Sequence, residues 1–367
     1  MKAFTKLLPF LVLVSLLSAC TNQKPVSEHE TLHNQIDSIM TAVPDFSGVV
    51  LVASKGKPLY HKAFGYRNFE TKVPLDTTDV FELASVSKQF TAMIIMMLKE
   101  EGKLNYNDPI EKYLPGLPYS NITIRHLLTH TSGLPDYQAI MDQYWDKSKV
   151  AGNEDILIYL KKYQPPALFL PGKKYEYSNT GYVLLGSIAE RTSGKDFIEL
   201  CRQQIFGPLK MKSTDIRSLD EKRAIENFAL GHIFVEEKQR YIRADSFPSS
   251  NYTIWLGNRK GPGRISSIST DLLLWDRALY KGELVSTQIL EEAFTPMKLT
   301  NDSLSYYGFG WMLRNDARAV LHTGDNPGYK TKIVRFTDQD KTLIMLCNNA
   351  HAKFATVAKA LETLLND

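Results

Sequence analysis

Ser85 and Lys88 are the residues whose types and spacing point most directly to chemistry. They precede an apolar run at residues 90–98 that is typical of a buried helix. Residues three apart share one face of a helix, so Lys88 would lie beside the Ser85 hydroxyl. A serine hydroxyl needs a neighbouring base, and a lysine can be that base when burial and nearby positive charge lower its pKa. The pair therefore indicates nucleophilic attack by a serine on an acyl group.

Ser54 and Lys57 have the same spacing in a different context. They belong to Ala53-Ser54-Lys55-Gly56-Lys57-Pro58, a stretch with the composition of a turn between two apolar runs. We therefore predict that Ser54 is a solvated hairpin residue.

Two further motifs follow downstream, Tyr177-Ser178-Asn179 and His322-Thr323-Gly324. The Tyr-x-Asn pattern also occurs at Tyr66 and Tyr119, but only Tyr177 is followed by a helix-like run, at residues 182–189. We interpret the other two matches as strand and loop surface. His322-Thr323-Gly324 has no rival in the sequence.

With these three motifs in this order, the sequence resembles the serine β-lactamase and penicillin-binding-protein superfamily. The likeness runs from residue 46 to the C-terminus, and the segments 126–135 and 307–311 look like its class C-like branch. The resemblance implies an α/β (α+β) fold of the β-lactamase/transpeptidase type. Such a fold has an antiparallel sheet flanked by helices and a mostly helical lobe, with the active site between them.

The resemblance also implies a role for each matching residue. Ser85 would attack the substrate carbonyl, and Lys88 would hold or accept the hydroxyl proton. Tyr177, as a phenolate or through hydrogen bonds, would pass that proton to the leaving group and later activate water. Asn179 would position the substrate and Lys88.

The third motif would supply the strand that binds the substrate. His322 would hold Tyr177 electrostatically, while Thr323 would face the substrate beside Gly324. The backbone N–H of Asp325 would be the second oxyanion donor. Most β-lactamases carry a lysine at the position of His322, and a histidine there is similar to the D-alanyl-D-alanine peptidase, D-aminopeptidase and esterase branches.

Asp325 also bears on the substrate. A carboxylate here would lie near the pocket that peptidases of this superfamily use for a terminal carboxylate, and like charges repel. This predicts a neutral ester or amide substrate, or one with an amine. The alternative is a solvated Asp325, because a turn of the type Asp-Asn-Pro-Gly favours Asp for local reasons.

The predicted function is therefore a serine hydrolase that forms an acyl-enzyme on a peptide, amide or ester, including peptidoglycan-derived ones. It would be of the D-amino-acid peptidase or esterase type. The alternative is a penicillin-binding or cell-wall-fragment-sensing protein with little turnover. We expect no cofactor, since Gly-x-Ser-x-Gly, Walker and Cys-x-x-Cys motifs are absent from the sequence.

The N-terminus has the pattern of a secretory signal, with Lys2 and Lys6 before an apolar run at residues 7–17. The ending Leu17-Ser18-Ala19-Cys20 resembles a bacterial lipobox and implies lipidation of Cys20. We therefore predict a signal peptide at 1–19, a lipidated N-terminus, leash and first helix at 20–45, and a hydrolase domain at 46–367. The expected location is the bacterial cell envelope, on a membrane.

Two histidine patterns are weighed as metal sites. Residues 29–33 match His-Glu-x-x-His, but they fall on an amphipathic helix with the stripe Leu32, Ile36, Ile39, Met40 and Val43. His126 and His130, four apart, lie in a segment that is structural in the resembled family. We predict no metal at either place.

Composition limits the partners. A formal net charge of +4 is too small to indicate nucleic acid binding. Besides Cys20, only Cys201 and Cys347 are present, and either a disulfide or two separate buried thiols fits them. Strand patterns occur at 47–53, 58–63 and within 307–346, and helical patterns at 155–162, 182–191, 197–205, 270–279 and 357–365.

Overall fold

The computed structural model describes residue 1, residues 28–316 and residues 318–366. The predicted signal peptide and the lipidated Cys20 lie outside these ranges and stay predictions. In the described part of the chain, no helix is both long enough and apolar enough to cross a membrane.

The helices are α1 (Glu28–Thr41), α2 (Lys88–Glu100), α3 (Ile124–Leu128), α4 (Tyr137–Tyr144), α5 (Asn153–Tyr163), α6 (Asn179–Ser193), α7 (Phe197–Cys201), α8 (Leu219–Ala224), α9 (Tyr252–Trp255), α10 (Ser269–Lys281), α11 (Thr287–Ala293) and α12 (Phe354–Asn366). The strands are β1 (Gly48–Ser54), β2 (Lys57–Phe64), β3 (Tyr66–Asn68), β4 (Val73–Pro74), β5 (Phe81–Glu82), β6 (Asp215–Ile216), β7 (His232–Val235), β8 (Arg240–Arg243), β9 (Ile265–Ser267), β10 (Met297–Lys298), β11 (Leu304–Ser305), β12 (Met312–Leu313), β13 (Ala319–Asn326), β14 (Tyr329–Phe336) and β15 (Lys341–Cys347).

The main sheet has six antiparallel strands in the order β12-β13-β14-β15-β1-β2. Strand β1 pairs with β15 along its whole length, from Gly48 opposite Cys347 to Ser54 opposite Lys341. The two ends of the chain therefore share one sheet, and the residues between β2 and β12 supply most of the helices. This confirms the predicted fold.

Helices cover both faces of this sheet. Because side chains alternate along a strand, Val49 and Leu51 of β1 join the large core that contains α2, while Val50 and Val52 pack on the opposite side. That second core is closed by the terminal helices α1 and α12. Because β1 is buried on both faces, its sequence is a continuous apolar run.

The structure also bears on the smaller questions that the sequence raised. Ser54 ends β1 at a hairpin whose turn residues, Lys55 and Gly56, both have positive φ (50° and 73°), as a tight two-residue turn requires. Cys201 and Cys347 are buried free thiols in different cores, so they do not pair. The predicted stripe of α1 packs on the domain, with Ile36 and Met40 buried.

The helical predictions agree in position with α5, α6, α10 and α12. The pattern at 197–205 differs in one respect, since α7 ends at Cys201 and continues as a π-helical turn, Arg202–Phe206. The backbone N–H of Gly207 reaches back to the carbonyl of Arg202, which gives the wider turn.

Candidate active site

Ser85 lies in a 3₁₀ turn, Ala84–Ser87, that runs directly into α2. The residue before it, Ala84, has φ +49°, a left-handed conformation that costs an L-residue roughly 1–2 kcal/mol. Neighbouring strands hold this turn in place. The Leu83 N–H donates to the Ile265 carbonyl at 2.9 Å, and the Leu83 carbonyl accepts from the Thr331 hydroxyl at 2.8 Å. Ser85 itself is partly exposed, as a nucleophile must be.

Lys88 is fully buried beside Ser85. Its Nζ lies 3.1 Å from Ser85 Oγ, 2.8 Å from Asn179 Oδ1 and 2.9 Å from the carbonyl oxygen of Pro262. Burial, and next the positive charge of Arg259, hold the pKa of Lys88 well below its ordinary value. A neutral amine in this place can donate to the Asn179 and Pro262 oxygens and still accept the Ser85 proton.

Tyr177 completes the group. Lys88 Nζ lies 4.8 Å from the centroid of the Tyr177 ring, and the Tyr177 side chain is hydrogen-bonded to Ser85. Burial raises the pKa of Tyr177, while that hydrogen bond lowers it by less. The side chain is therefore a neutral phenol at physiological pH, which decides between the two forms considered from the sequence.

The Tyr177-Ser178-Asn179 motif is built around the start of α6. Ser178 caps the helix by accepting a hydrogen bond from the Gly181 N–H, and Asn179 is the first helical residue. The Ser178 N–H in turn donates to His130 Nδ1 at 3.0 Å. These bonds fix the backbone on both sides of the Tyr177 side chain. The rival Tyr66 lies in β3, and Tyr119 is a buried loop residue whose hydroxyl donates to the Pro165 carbonyl.

His322 is buried on β13, and its ring centroid lies 6.4 Å from that of Tyr177, so its expected role toward Tyr177 stays a prediction. Its Nε2 shares a 2.8 Å hydrogen bond with the Tyr307 hydroxyl, and its Nδ1 lies 2.6 Å from the Thr323 carbonyl oxygen. Burial is the main cause that lowers the pKa of His322 to about 3, so the ring is neutral.

The other residues of the third motif follow along β13. A Cβ on Gly324 would lie 2.2 Å from Thr331 Oγ1 and 2.3 Å from the Leu83 carbonyl oxygen, so only glycine lets this strand approach the nucleophile turn. Thr323 is a partly exposed residue of β13. The pairing of β12 with β13 ends at Leu321, so the edge of β13 is open at Thr323. That open edge can receive an extended substrate.

Asp325 bears on one expectation. Its side chain is 73% exposed and lies 2.6 Å from Lys330 Nζ, which offsets its charge. It precedes the hairpin turn at Pro327 and Gly328, as the local interpretation of Asp-Asn-Pro-Gly expects. Asp325 also lines the cleft beside Ser85, so the sequence-based preference for a neutral or amine-bearing substrate stays a prediction.

Four residues at the site were not identified from the sequence: His130, Tyr307, Arg259 and Pro262. The centroid of the His130 ring lies 4.3 Å from that of Tyr177 in a tilted arrangement and 4.4 Å from that of Tyr307 edge to face, and its position in the segment 126–135 was the only available signal. His130 Nδ1 accepts the Ser178 N–H, and the Tyr182 ring also packs against this histidine. No cluster of metal-binding side chains occurs in the described ranges.

An open cleft of about 640 Å³ lies beside Ser85 and Asn179. Its remaining walls include Gln138, Tyr252 and the loop that carries Pro262. The cleft is open to solvent, so a substrate can reach Ser85 from this side. Together with the partly exposed hydroxyl and its buried amine, it provides what acyl transfer needs.

Comparison with known proteins gives consistent matches. A family model described as Beta-lactamase matches residues 36–366. Penicillin-binding protein 4* of Bacillus subtilis is 42% identical over 308 residues, which are 83% of this chain and 68% of that protein. Protein flp of Staphylococcus aureus is 26% identical over 82% of this chain and 59% of its own length, so this chain spans about six tenths of that relative.

Solved structures agree. A penicillin-binding protein homologue from Pyrococcus abyssi, described as octameric, superposes with a TM-score of 0.77 at 26% identity, over 93% of this chain and 78% of that one. A D-amino acid amidase from Ochrobactrum anthropi has a TM-score of 0.74 over 91% and 99% of the two chains. Its 24% identity establishes a shared fold alone.

The buried His322 predicts how stability depends on pH. Its folded-state pKa of about 3 lies below the ordinary 6.5, so the unfolded state binds more protons between these values. The stability due to neutral His322 is complete above pH 6.5 and is lost as the pH falls toward 3. When the pH is lowered from about 6 to about 4.5, the free energy of unfolding should fall in both proteins. We expect the decrease to be about 2 kcal/mol smaller in His322→Gln than in the wild type.

Urea denaturation at the two pH values measures this difference. Equal losses in the wild type and His322→Gln would contradict a neutral buried His322.

Proposed function

This chain belongs to the beta-lactamase family, and on that premise we propose that it is a serine hydrolase that forms an acyl-enzyme at Ser85. The proposed substrates are peptides, amides or esters of the D-amino-acid type. The observation that carries the proposal is the fully buried Lys88, whose Nζ lies 3.1 Å from Ser85 Oγ. Lysine side chains are almost never fully buried unless they are paired, and here the buried amine lies beside a partly exposed serine hydroxyl.

Acylation would begin with transfer of the Ser85 proton to the neutral Lys88 amine as Oγ attacks the substrate carbonyl carbon. The new C–O bond places a negative charge on the former carbonyl oxygen. Backbone N–H groups of Ser85 and Asp325 would stabilise that oxyanion from the two sides of the cleft. Such donors typically contribute about 2.7–4 kcal/mol each to lowering the barrier.

Collapse of the intermediate breaks the bond to the leaving group, which must gain a proton if it is an amine. Tyr177, a neutral phenol hydrogen-bonded to Ser85, is the proposed donor, and Lys88 then returns its proton to Tyr177. Deacylation would reverse these roles, with water in place of the leaving group. Its proton would pass by way of Tyr177 and Lys88 back to Ser85.

The substrate class is supported by the relatives. Penicillin-binding protein 4* shares 42% of aligned residues with this chain, and the D-amino acid amidase shares its fold. The first name points to penicillins and the second to amides of D-amino acids, and the open edge of β13 suits an extended backbone. We include esters because an ester leaving group has the least need of a proton from Tyr177.

Ser85→Ala should abolish hydrolysis of a p-nitrophenyl ester of an N-acyl-D-alanine, because the nucleophile is removed. We expect kcat to fall by at least roughly 10³-fold. The measurement is steady-state release of p-nitrophenol, together with intact-mass detection of an acyl adduct on the wild type.

Ser54→Ala is the matched control, since it changes the rival Ser-x-x-Lys match at the β1–β2 hairpin and should leave turnover unchanged. Turnover that survives Ser85→Ala would contradict the proposal. A stoichiometric adduct on Ser85 without turnover would favour the penicillin-binding or sensing function instead.

Tyr177→Phe should separate proton donation from nucleophilic attack. Since p-nitrophenolate leaves without a proton, kcat/KM for the ester should change little. The corresponding p-nitroanilide needs a proton on its leaving nitrogen, so its kcat/KM should fall by roughly 10²-fold or more. The ratio of the two values, measured for wild type and variant, reports the role of the phenol.

Tyr66→Phe, at the rival Tyr-x-Asn match in β3, is the control and should preserve the wild-type ratio. Equal losses on the ester and the anilide would show that Tyr177 is not the proton donor.

A further inference from the structure

Arg259 is a cleft cation that forms no ion pair within 4.0 Å with any residue that the structure describes. It is among the residues that line the cleft beside Ser85. Its Nη1 donates to the Tyr137 hydroxyl at 2.5 Å, and its Nε is buried without a hydrogen-bond partner. In the part of the chain that the structure describes, the ion pairs within 4.0 Å include none with Arg259. Burial raises the pKa of Tyr137, so that contact is with a neutral phenol.

Most of the other charges around this cleft are balanced. Lys222 forms an ion pair with Glu82, and Asp325 forms one with Lys330. Arg264 donates to the Arg217 carbonyl, and the charge of Glu82 acts on both Arg264 and Arg259 without an ion pair within 4.0 Å in the described ranges. The cleft therefore has three cations and two carboxylates in its walls, with Lys330 offsetting one of the carboxylates from outside.

The unpaired guanidinium is close to the nucleophile. A Cβ built on Gly263 would lie 3.6 Å from Arg259 Nη2 and 3.8 Å from the carbonyl oxygen of Ala84, which precedes Ser85. Pro262, the neighbour of that glycine, accepts the hydrogen bond from Lys88. Arg259 thus flanks the same loop that fixes the proposed base.

The position of Arg259 also indicates which part of the substrate this arginine would contact. The cleft is lined by Ser85, Asn179 and Arg259, whereas Tyr177, His322 and Thr323 are not among its lining residues. Since Tyr177 is the proposed proton donor, the leaving group would lie on its side of Ser85. The cleft that holds Arg259 would then receive the acyl part.

From these observations we propose that Arg259 binds a carboxylate on the acyl part of the substrate, and that the protein prefers acyl groups that bear one. A partly buried cation without a counterion is costly, and a carboxylate would supply both charge and hydrogen-bond acceptors. The planar guanidinium can offer two parallel N–H donors to the two carboxylate oxygens. This inference rests on the proposed hydrolase function and adds a substrate class to it.

A second effect of Arg259 must be separated from this one. Its charge also lowers the pKa of Lys88, so any change at this position affects the proposed base. That effect would act on every substrate alike. Recognition of a carboxylate would act only on substrates that have one, so a ratio of two substrates distinguishes them.

The test uses two p-nitrophenyl esters of D-alanine that share their leaving group. One has an N-succinyl chain ending in a carboxylate, and the other has the succinamoyl chain ending in the isosteric neutral amide. We expect wild-type kcat/KM to favour the carboxylate ester by roughly tenfold or more. In Arg259→Gln the ratio should fall to about one, and in Arg259→Lys it should be intermediate, because the charge remains but the fork is lost.

Arg240→Gln is the matched control, because Arg240 is an exposed arginine of β8 and its loss should leave the ratio unchanged. Equal hydrolysis of both esters by the wild type would overturn the inference and leave the hydrolase function standing. The same conclusion follows if Arg259→Gln slows both esters equally. If the wild type hydrolyses neither ester, both the proposed function and the proposed carboxylate site are contradicted.

Discussion

The burial of one amine organises this site. Lys88 has no exposed surface, and its Nζ contacts oxygens of three segments: Ser85 in the same turn, Asn179 at 91 residues' distance and Pro262 at 174. An ammonium ion in such a place is costly, and the positive Arg259 adds to that cost. Both effects shift Lys88 toward the neutral amine, which is the form that can accept a proton from the serine. The nucleophile turn, the start of α6 and the loop at Pro262 must therefore stay together for the chemistry to work.

The fold provides that constraint through close backbone contacts. Gly324 lets β13 approach Leu83, and the Thr331 hydroxyl of the next strand binds the Leu83 carbonyl. These contacts stabilise the left-handed Ala84 and so set the direction of the Ser85 side chain. On the helical side, His130 binds the backbone after Tyr177 and packs against its ring. The sheet thus positions the nucleophile, and the helical lobe positions the proton donor.

Much of this could be predicted from the sequence, for reasons that differ between residues. Ser85 and Lys88 are three apart, so helical geometry alone brings them together. Tyr177 was placed through family resemblance, because no local pattern reports a contact across 92 residues of chain. The strands and helices followed from apolar periodicity. The sequence did not predict the partner of His322 or the unpaired charge of Arg259, since both depend on which side chains meet after folding. Asp325 shows the same limit, because its charge could be judged only once Lys330 was seen opposite it in the hairpin.

The most direct test of the account is the ionisation state of Lys88 itself. Selective 13C labelling of lysine Cε, with Lys88→Met to assign the resonance, allows an NMR titration of this one amine in the folded protein. The account predicts that Lys88 loses its proton at a pH well below the ordinary lysine pKa of 10.5 and is a neutral amine in the resting protein. A Lys88 resonance that titrates at 10.5 or above would show a permanent ammonium ion beside Ser85 and would contradict its role as the base.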